Sequence, residues 1–462
     1  MNFFAGRWRL KAASASILLA ASLCTPALAA DSDFWHRDTM TGDWGGARKS
    51  MRDAGLDLSA TDIGEIQTIL SGGFRQGTSF VNRFDLSADA DLEKLFGWKG
   101  GSAHFTIYAI GYAHAMPAAS FVGSVADPSN IEALPSTRLF TAWIEQHFLD
   151  DSLSIRIGQI AADDEFFTSD TAGGLISSTF GFATLLAANQ NQGGPVYPLA
   201  TPGIRAQFQA TDDISIMGAV FGGAPGGGAC ATNPQTCNRY GLKFPTDGGS
   251  LWMGELQYAP NQKEGATGLP GTYKFGGWYA TTKFADRHFG VNGLGGRVSL
   301  ANPTAVDSIF HQGNWGIYGI ADQMVWRSMD GPQSVSLFLR GGVSPSDRNM
   351  VSSYVDGGIG VKGLIPGRED DVLTLGVSYT KISSDAAALD VDTRVFTAGF
   401  YPVRNSEMTY ELDYALQIAP WWTLQADLQY VGKPGGGVLD PGNPARSTRN
   451  AFIWGVRSTI NF

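Results

Sequence analysis

Charged residues, cysteines and long apolar runs are all scarce in this 462-residue chain. Asp, Glu, Lys and Arg make up 16 %, where soluble domains carry about 25 %, so a large water-facing surface is not expected. Beyond the amino-terminal leader there is no run of about 18 apolar residues, the length a transmembrane helix needs. Basic residues are outnumbered, 33 against 43 acidic, for a net charge of −10, which argues against a nucleic-acid partner. No HExxH or GxSxG pattern occurs, and His104, His114, His147, His288 and His311 fall in separate segments, so no catalytic constellation is legible. No cofactor is expected. Cys24 lies in the leader, leaving only Cys230 and Cys237, in the glycine-rich stretch 226–239. Two thiols are too few for a zinc site. On an exported chain their spacing favours a local disulfide, worth roughly 2–3 kcal/mol through loop closure.

What the chain has in quantity is alternation. Glu407, Thr409, Glu411, Asp413, Ala415 and Gln417 share one face of a strand, and Met408, Tyr410, Leu412, Tyr414, Leu416 and Ile418 share the other. Trp422 to Tyr430 and Phe452 to Phe462 repeat the pattern. Each segment is close to the 9–11 residues that cross a bilayer at a tilt. Polar faces carry charges and apolar faces carry aromatics, as in a transmembrane β-barrel with lipid outside and water inside. The whole chain yields about sixteen such segments, an even number. With both termini in the periplasm, connections after even strands are short (Asp150-Asp151, Thr211-Asp212, Asp330 to Pro332, Ala419-Pro420). Most connections after odd strands are long: 115–137, 161–202, 223–249, 284–313, 383–406 and 433–450. The ambiguous run 391–403 is read as loop. The expected fold is therefore all-β, an antiparallel transmembrane barrel with short periplasmic turns and long extracellular loops.

Arg7, Arg9 and Lys11, the apolar run from Ala12 to Leu23 and the small-residue signal Ala27-Leu28-Ala29 mark a secretory signal peptide over 1–29. Residues 30–55 then form a periplasmic segment in which Asp43 caps a short helix ended by Gly55, and 56–462 form the barrel. The expected location is the outer membrane of a Gram-negative bacterium, crossed many times, with outer-membrane lipid and lipopolysaccharide as neighbours. The chain ends on an outward aromatic, Phe462, which suits recognition by barrel-insertion machinery.

The inward faces nominate a pore lining. Arg83, Asp85, Trp143, Glu145, Arg156, Arg205, Glu255, Trp278, Asp322, Arg340, Glu411, Asp413 and Arg457 all fall on polar-face positions. Any one of them could equally be a wall ion pair or a solvated lumen residue, since polar lining is generic to barrels. The connection 161–202 is the longest and opens with Asp163-Asp164-Glu165-Phe166-Phe167. It is expected to turn into the lumen and narrow it, with Glu165 meeting Arg83, Arg156 and Arg205. Mixed charge signs suit neutral polar solutes, and selectivity in a pore comes from diameter, donors, acceptors and electrostatic barriers. General diffusion, a surface-binding role for the loops and, least favoured, a barrel hydrolase using His104 or His147 stay open on these residues.

Several stretches together resemble the OprB-type carbohydrate-selective porins. They are Thr41-Gly42-Asp43-Trp44-Gly45-Gly46-Ala47-Arg48, Arg156-Ile157-Gly158-Gln159, Gly194-Pro195-Val196-Tyr197-Pro198, Ala321-Asp322-Gln323-Met324, Pro366 to Asp371, Glu411 through Trp422, Asp427-Leu428-Gln429-Tyr430, Lys433-Pro434-Gly435-Gly436 and the final Phe462. The stretches span nearly the whole mature chain in order; Ala426 departs from a proline common at that position. The resemblance implies a monomeric barrel of about sixteen strands that passes glucose and similar small sugars by diffusion, without energy coupling.

Overall fold

The computed structural model describes residues 34–462 apart from 113–116 and 398; the leader, with Cys24, and His114 lie outside the described residues. Sixteen antiparallel strands close into a barrel. They are β1 (Leu56–Gly73), β2 (Gly77–Asp91), β3 (Gly101–Tyr112), β4 (Ser136–Phe148), β5 (Leu153–Ile160), β6 (Thr201–Gln209), β7 (Ile214–Gly222), β8 (Ser250–Tyr258), β9 (Gly271–Asn292), β10 (Ala305–Arg327), β11 (Ser334–Val343), β12 (Val351–Lys362), β13 (Val372–Ile382), β14 (Ser406–Ala419), β15 (Trp422–Gly432) and β16 (Arg449–Asn461). Each strand pairs with its chain neighbours, and β1 pairs with β16 from Thr61 opposite Asn461 to Ile69 opposite Ile453. Closure removes every sheet edge, which hydrocarbon demands because it offers no partner to a bare N–H or C=O.

The outer face is apolar and bare. Ile66, Leu86, Ile144, Ile157, Ile204, Ile216, Leu339 and Val355 are exposed. Aromatics gather towards both ends of that face. Trp252, Tyr279, Trp315, Tyr410, Tyr430 and Trp454 sit towards one end, and Phe148, Phe208, Tyr258 and Tyr273 towards the other. Such girdles are where amphipathic rings settle at a lipid–water boundary.

One end carries the short turns. Leu149, Asp150 and Asp151 all take positive φ to turn β4 into β5. The Thr211 hydroxyl accepts from the amides of Asp213 and Ile214 between β6 and β7. Asp91 caps the helix Leu92–Phe96 by accepting from Glu93 and Lys94. The amino-terminal segment closes this end. Asp43 accepts from the Lys49 amide at 2.9 Å beside a helix, α1 (Ala47–Asp53), and Gly55 follows at φ +102°. The buried Arg48 of α1 donates to the main-chain oxygens of Leu58 (2.9 Å) and Phe462 (2.7 Å), tying α1 to β1 and to the end of β16.

The opposite end carries the long connections, with two exceptions at 74–76 and 344–350. Residues 284–313, read from sequence as a loop, are largely strand: β9 and β10 run on for 22 and 23 residues. Register shifts at 305–307, 308–310 and 312–314 blurred the alternation there, because each extra residue moves the following side chains to the other face. The run 391–403 does lie in a connection, but a longer helix, α2 (Ser384–Thr397), reaches into it over 391–397. Cys230 and Cys237 are joined in the connection 223–249.

Candidate functional site

The connection 161–200 does not leave the barrel. Phe166, Phe167, Leu185 and Leu186 pack against inward residues of the wall, Met217, Phe221, Leu251, Met253, Trp278, Tyr318 and Tyr354. Strands β7 to β9 therefore present apolar side chains to the interior as well as to the exterior. Each fully buried Phe or Leu contributes on the order of 1.5–3 kcal/mol, so the inward apolar patch and the loop's apolar residues hold each other.

Polar wall residues anchor the loop backbone between those contacts. Glu255 accepts from the Phe167 amide at 3.2 Å and the Tyr318 hydroxyl at 2.8 Å. Asp322 accepts from the Ser169 hydroxyl (2.6 Å), the Thr171 amide (2.9 Å) and the Thr171 hydroxyl (2.6 Å). Arg340 pairs with Asp356, both nearly without exposure, and donates to the carbonyls of Phe167, Thr179 and Gly181. Glu411 accepts from the amides of Ile176 (2.5 Å) and Ser177 (3.0 Å). Buried N–H and C=O groups of an irregular loop need partners, and these side chains supply them. Glu255, Arg340 and Glu411 thus hold the loop. Trp278, 4 % exposed, packs beneath it and offers the lumen no open ring.

At the start of the loop, Glu165 accepts from Arg156 Nη1 at 2.6 Å and Arg205 Nε at 2.5 Å. Glu145 completes a four-membered ring of charge, 2.7 Å from Arg156 and 3.0 Å from Arg205. Arg205 is 4 % exposed and also donates to Ser154, so its donors are taken up within the wall. Arg156 keeps an open side and lies 3.6 Å over the Trp143 ring, which in turn stacks on His104.

Beside the loop a cavity of about 530 Å³ remains, walled by β1 to β4, residues 125–132 and the loop itself. Arg83 enters it, clamped by Asp85 through Nε (2.8 Å) and Nη2 (2.7 Å). Its guanidinium carbon sits 4.6 Å from the Tyr108 ring and 5.0 Å from the Tyr197 ring. Tyr108 stacks on Phe140 at 4.7 Å. Arg457 reaches the same cavity, held by Glu65 at 2.7 Å and Asn130 at 2.7 Å. A second cavity of about 330 Å³ continues towards the short-turn end, sharing Tyr108, Phe140 and Asp164 with the first and adding Trp143 and Arg156. Of the residues nominated from sequence, the structure brings Arg83, Asp85, Trp143, Arg156 and Arg457 to these two cavities. The aromatic group Tyr108, Phe140 and Tyr197 was not singled out, although Tyr108 keeps the inward period of β3 and Tyr197 lies in a recognised motif.

Glu132, in the connection 113–135, also faces the first cavity. Burial, reinforced by the neighbouring Asp127 carboxylate, pushes it up to about 9. Its folded value lies above its unfolded one, so the folded state holds a proton that the unfolded chain has released. The group's contribution to stability therefore falls as pH rises through that window. Raising pH from 7 to 10 should add negative charge at the cavity and shift the reversal potential in a KCl gradient towards cations. Glu132→Gln should reduce that shift, with Asp164, which burial also pushes up, to about 8, supplying a further part.

A closed barrel, an apolar exterior, two polar cavities in series and one loop turned inward define a non-enzymatic channel of the outer-membrane type. The profile of the family described as "Carbohydrate-selective porin, OprB family" matches residues 75–462, and the chain belongs to that family. It is 25 % identical over 426 residues to Porin B of Pseudomonas aeruginosa, covering 86 % of this chain and 87 % of that one. The high-pH structure of Pseudomonas putida OprB matches with a TM-score of 0.80 at 23 % identity, over 93 % of this chain and 100 % of that one. The low-pH structure of the same protein matches with 0.55 at 18 %, over 92 % and 99 %. At such identities the structural likeness speaks for the fold. Family and fold together make this a sugar porin of the Gram-negative outer membrane.

Proposed function

We propose that the channel passes glucose and similar small neutral sugars by passive diffusion, and that the loop 161–200 forms the constriction at which they are selected. The observation that carries this reading is Arg83, a clamped guanidinium between two tyrosine rings on an open cavity. A pyranose offers a rim of hydroxyls and a weakly apolar face. Arginine presents a rigid fork of donors to the rim, Asp85 and Asp164 supply acceptors, and Tyr108, Phe140 and Tyr197 supply the flat surface. Arg156 over Trp143 repeats the combination in the second cavity. Binding has to stay near the millimolar range, about −4 kcal/mol, or the solute would not leave.

The short-turn end is assigned to the periplasm and the long-loop end to the cell exterior, among lipopolysaccharide, since this is how bacterial barrels sort their connections. The family resemblance is what supports a monomer. Phe462 packs near Phe84 on the outer face, a position suited to capture by insertion machinery. Deleting it should lower the amount of heat-modifiable, folded protein in the outer membrane severalfold, and unchanged levels would remove that role. The transport reading is tested by liposome swelling. Glucose should enter faster than amino acids of similar or smaller size, whereas an order set by size alone would mean general diffusion.

A further inference from the structure

We propose that Glu411, Asp413, Asp427 and Gln429 form a binding site for a hard divalent cation, Ca²⁺, which ties the lumen loop to the barrel wall. Glu411 and Asp413 lie two residues apart on the inward face of β14. Across the ladder Asp413 stands opposite Asp427 and Glu411 opposite Gln429. One oxygen of each carboxylate lies within 4.8 Å of the others. The four residues are no more than 1 % exposed. No Lys, Arg or His forms an ion pair with the three acids among the described residues; Arg457, on the neighbouring strand, is engaged by Glu65. Like charges directly opposite on a sheet repel, and buried charges are otherwise found paired or on a metal.

The hydrogen bonds around the cluster reveal unused acceptors, one of them on a neutral side chain. Gln67 and Gln429 donate to Asp427 Oδ2 at 3.4 and 3.0 Å, and Gln425 donates to Asp413 Oδ2 at 2.8 Å. Asp413 Oδ1, Asp427 Oδ1 and the amide oxygen of Gln429 are buried and receive no hydrogen bond from any described protein group. Gln429 spends its NH₂ on Asp427 and on the Pro128 carbonyl, which leaves its buried amide oxygen without a donor. Gly455 faces Asp427 across the next ladder, and a Cβ there would come within 2.8 Å of Asp427 Oδ2, so the backbone leaves this room. An all-oxygen set without nitrogen or sulfur selects a hard cation. Ca²⁺ accepts 6–8 oxygens in irregular geometry, including bidentate carboxylates, where Mg²⁺ insists on a near-ideal octahedron. Glu411 also holds the amides of Ile176 and Ser177, so neutralising the cluster would stabilise the seat of the loop. The rival state is a set of carboxyls sharing protons.

Equilibrium dialysis with radioactive Ca²⁺ on the full chain, folded in detergent at pH 7.5, separates the two. A single saturable class of site is expected, half-filled at or below about 10⁻³ M, with a melting temperature that rises with Ca²⁺ over the same range. Asp413→Asn/Asp427→Asn should abolish both. Gln429→Leu removes one oxygen and no charge. It should fold normally by heat modifiability and weaken Ca²⁺ by about tenfold. Saturable binding that is absent from the native chain, or present and unchanged in both variants, would overturn the proposal. So would a native melting temperature indifferent to Ca²⁺ with a double variant of equal or greater stability, the behaviour of shared protons.

Discussion

Arg340→Met should unseat the loop and cost the folded barrel about 3–5 kcal/mol, the range for stranding one partner of a buried ion pair. Asp356, at 2 % exposure, would keep its charge with only the Tyr354 hydroxyl at 2.8 Å to meet it. The carbonyls of Phe167, Thr179 and Gly181 would lose a shared donor at the same time. Arg340 therefore sits where wall electrostatics and loop position meet. Thermal unfolding of the heat-modifiable form reads the first effect, and chymotrypsin cleavage within 161–200, at sites such as Phe166, Phe167, Phe180 and Phe182, with noisier single-channel current reads the second. Arg340→Met/Asp356→Leu should recover most of the lost stability, because removing both charges also removes the stranded one. A single variant as stable and quiet as the native channel would mean that the apolar contacts alone seat the loop.

Arg83→Ala should raise the glucose concentration needed for half-block of the ion current by about tenfold, since hydrogen bonds from a charged donor are worth about 1.5 kcal/mol. Ion conductance should stay equal or rise, because a bulky group has left the cavity. Arg83→Lys should not restore affinity: an ammonium cannot keep the two-point clamp on Asp85 and still present a flat fork between Tyr108 and Tyr197. Arg205→Ala gives the contrast. Its donors are committed to Glu145, Glu165 and Ser154, so its loss should register in stability and loop position more than in glucose affinity. Equal effects of the two alanine variants on glucose block would place selection elsewhere in the lumen.

Alternation made the barrel legible. In β14 the buried Glu407, Glu411 and Asp413 and the exposed Tyr410 and Leu412 follow the pattern read from sequence. It failed where a second surface covers the inner wall. Met217, Phe221, Leu251 and Met253 point inward although they are apolar, because a loop far away in sequence supplies their partners. Trp278 reads from sequence as open pore lining for the same reason, since a strand's period gives the face of a residue and not what lies over it. The charged candidates divided similarly. Arg83 and Arg340 look alike in sequence, each an arginine on the inward face of a strand. Only the seating of the loop leaves one beside the cavity and buries the other. Helix α2 and the extended β9–β10 hairpin were lost to short polar–apolar mixtures and to bulges, which spoil both strand and helix periods.

The account's central claim is that sugar meets a weak binding site in this channel rather than a simple sieve. Single-channel recording of the native protein during a glucose titration tests it most directly. The account predicts a current that falls with glucose and saturates, half-blocked in the millimolar range, while an amino acid of similar size leaves it unchanged. A current that declines only with the viscosity of the solution, equally for both solutes and without saturation, would contradict it.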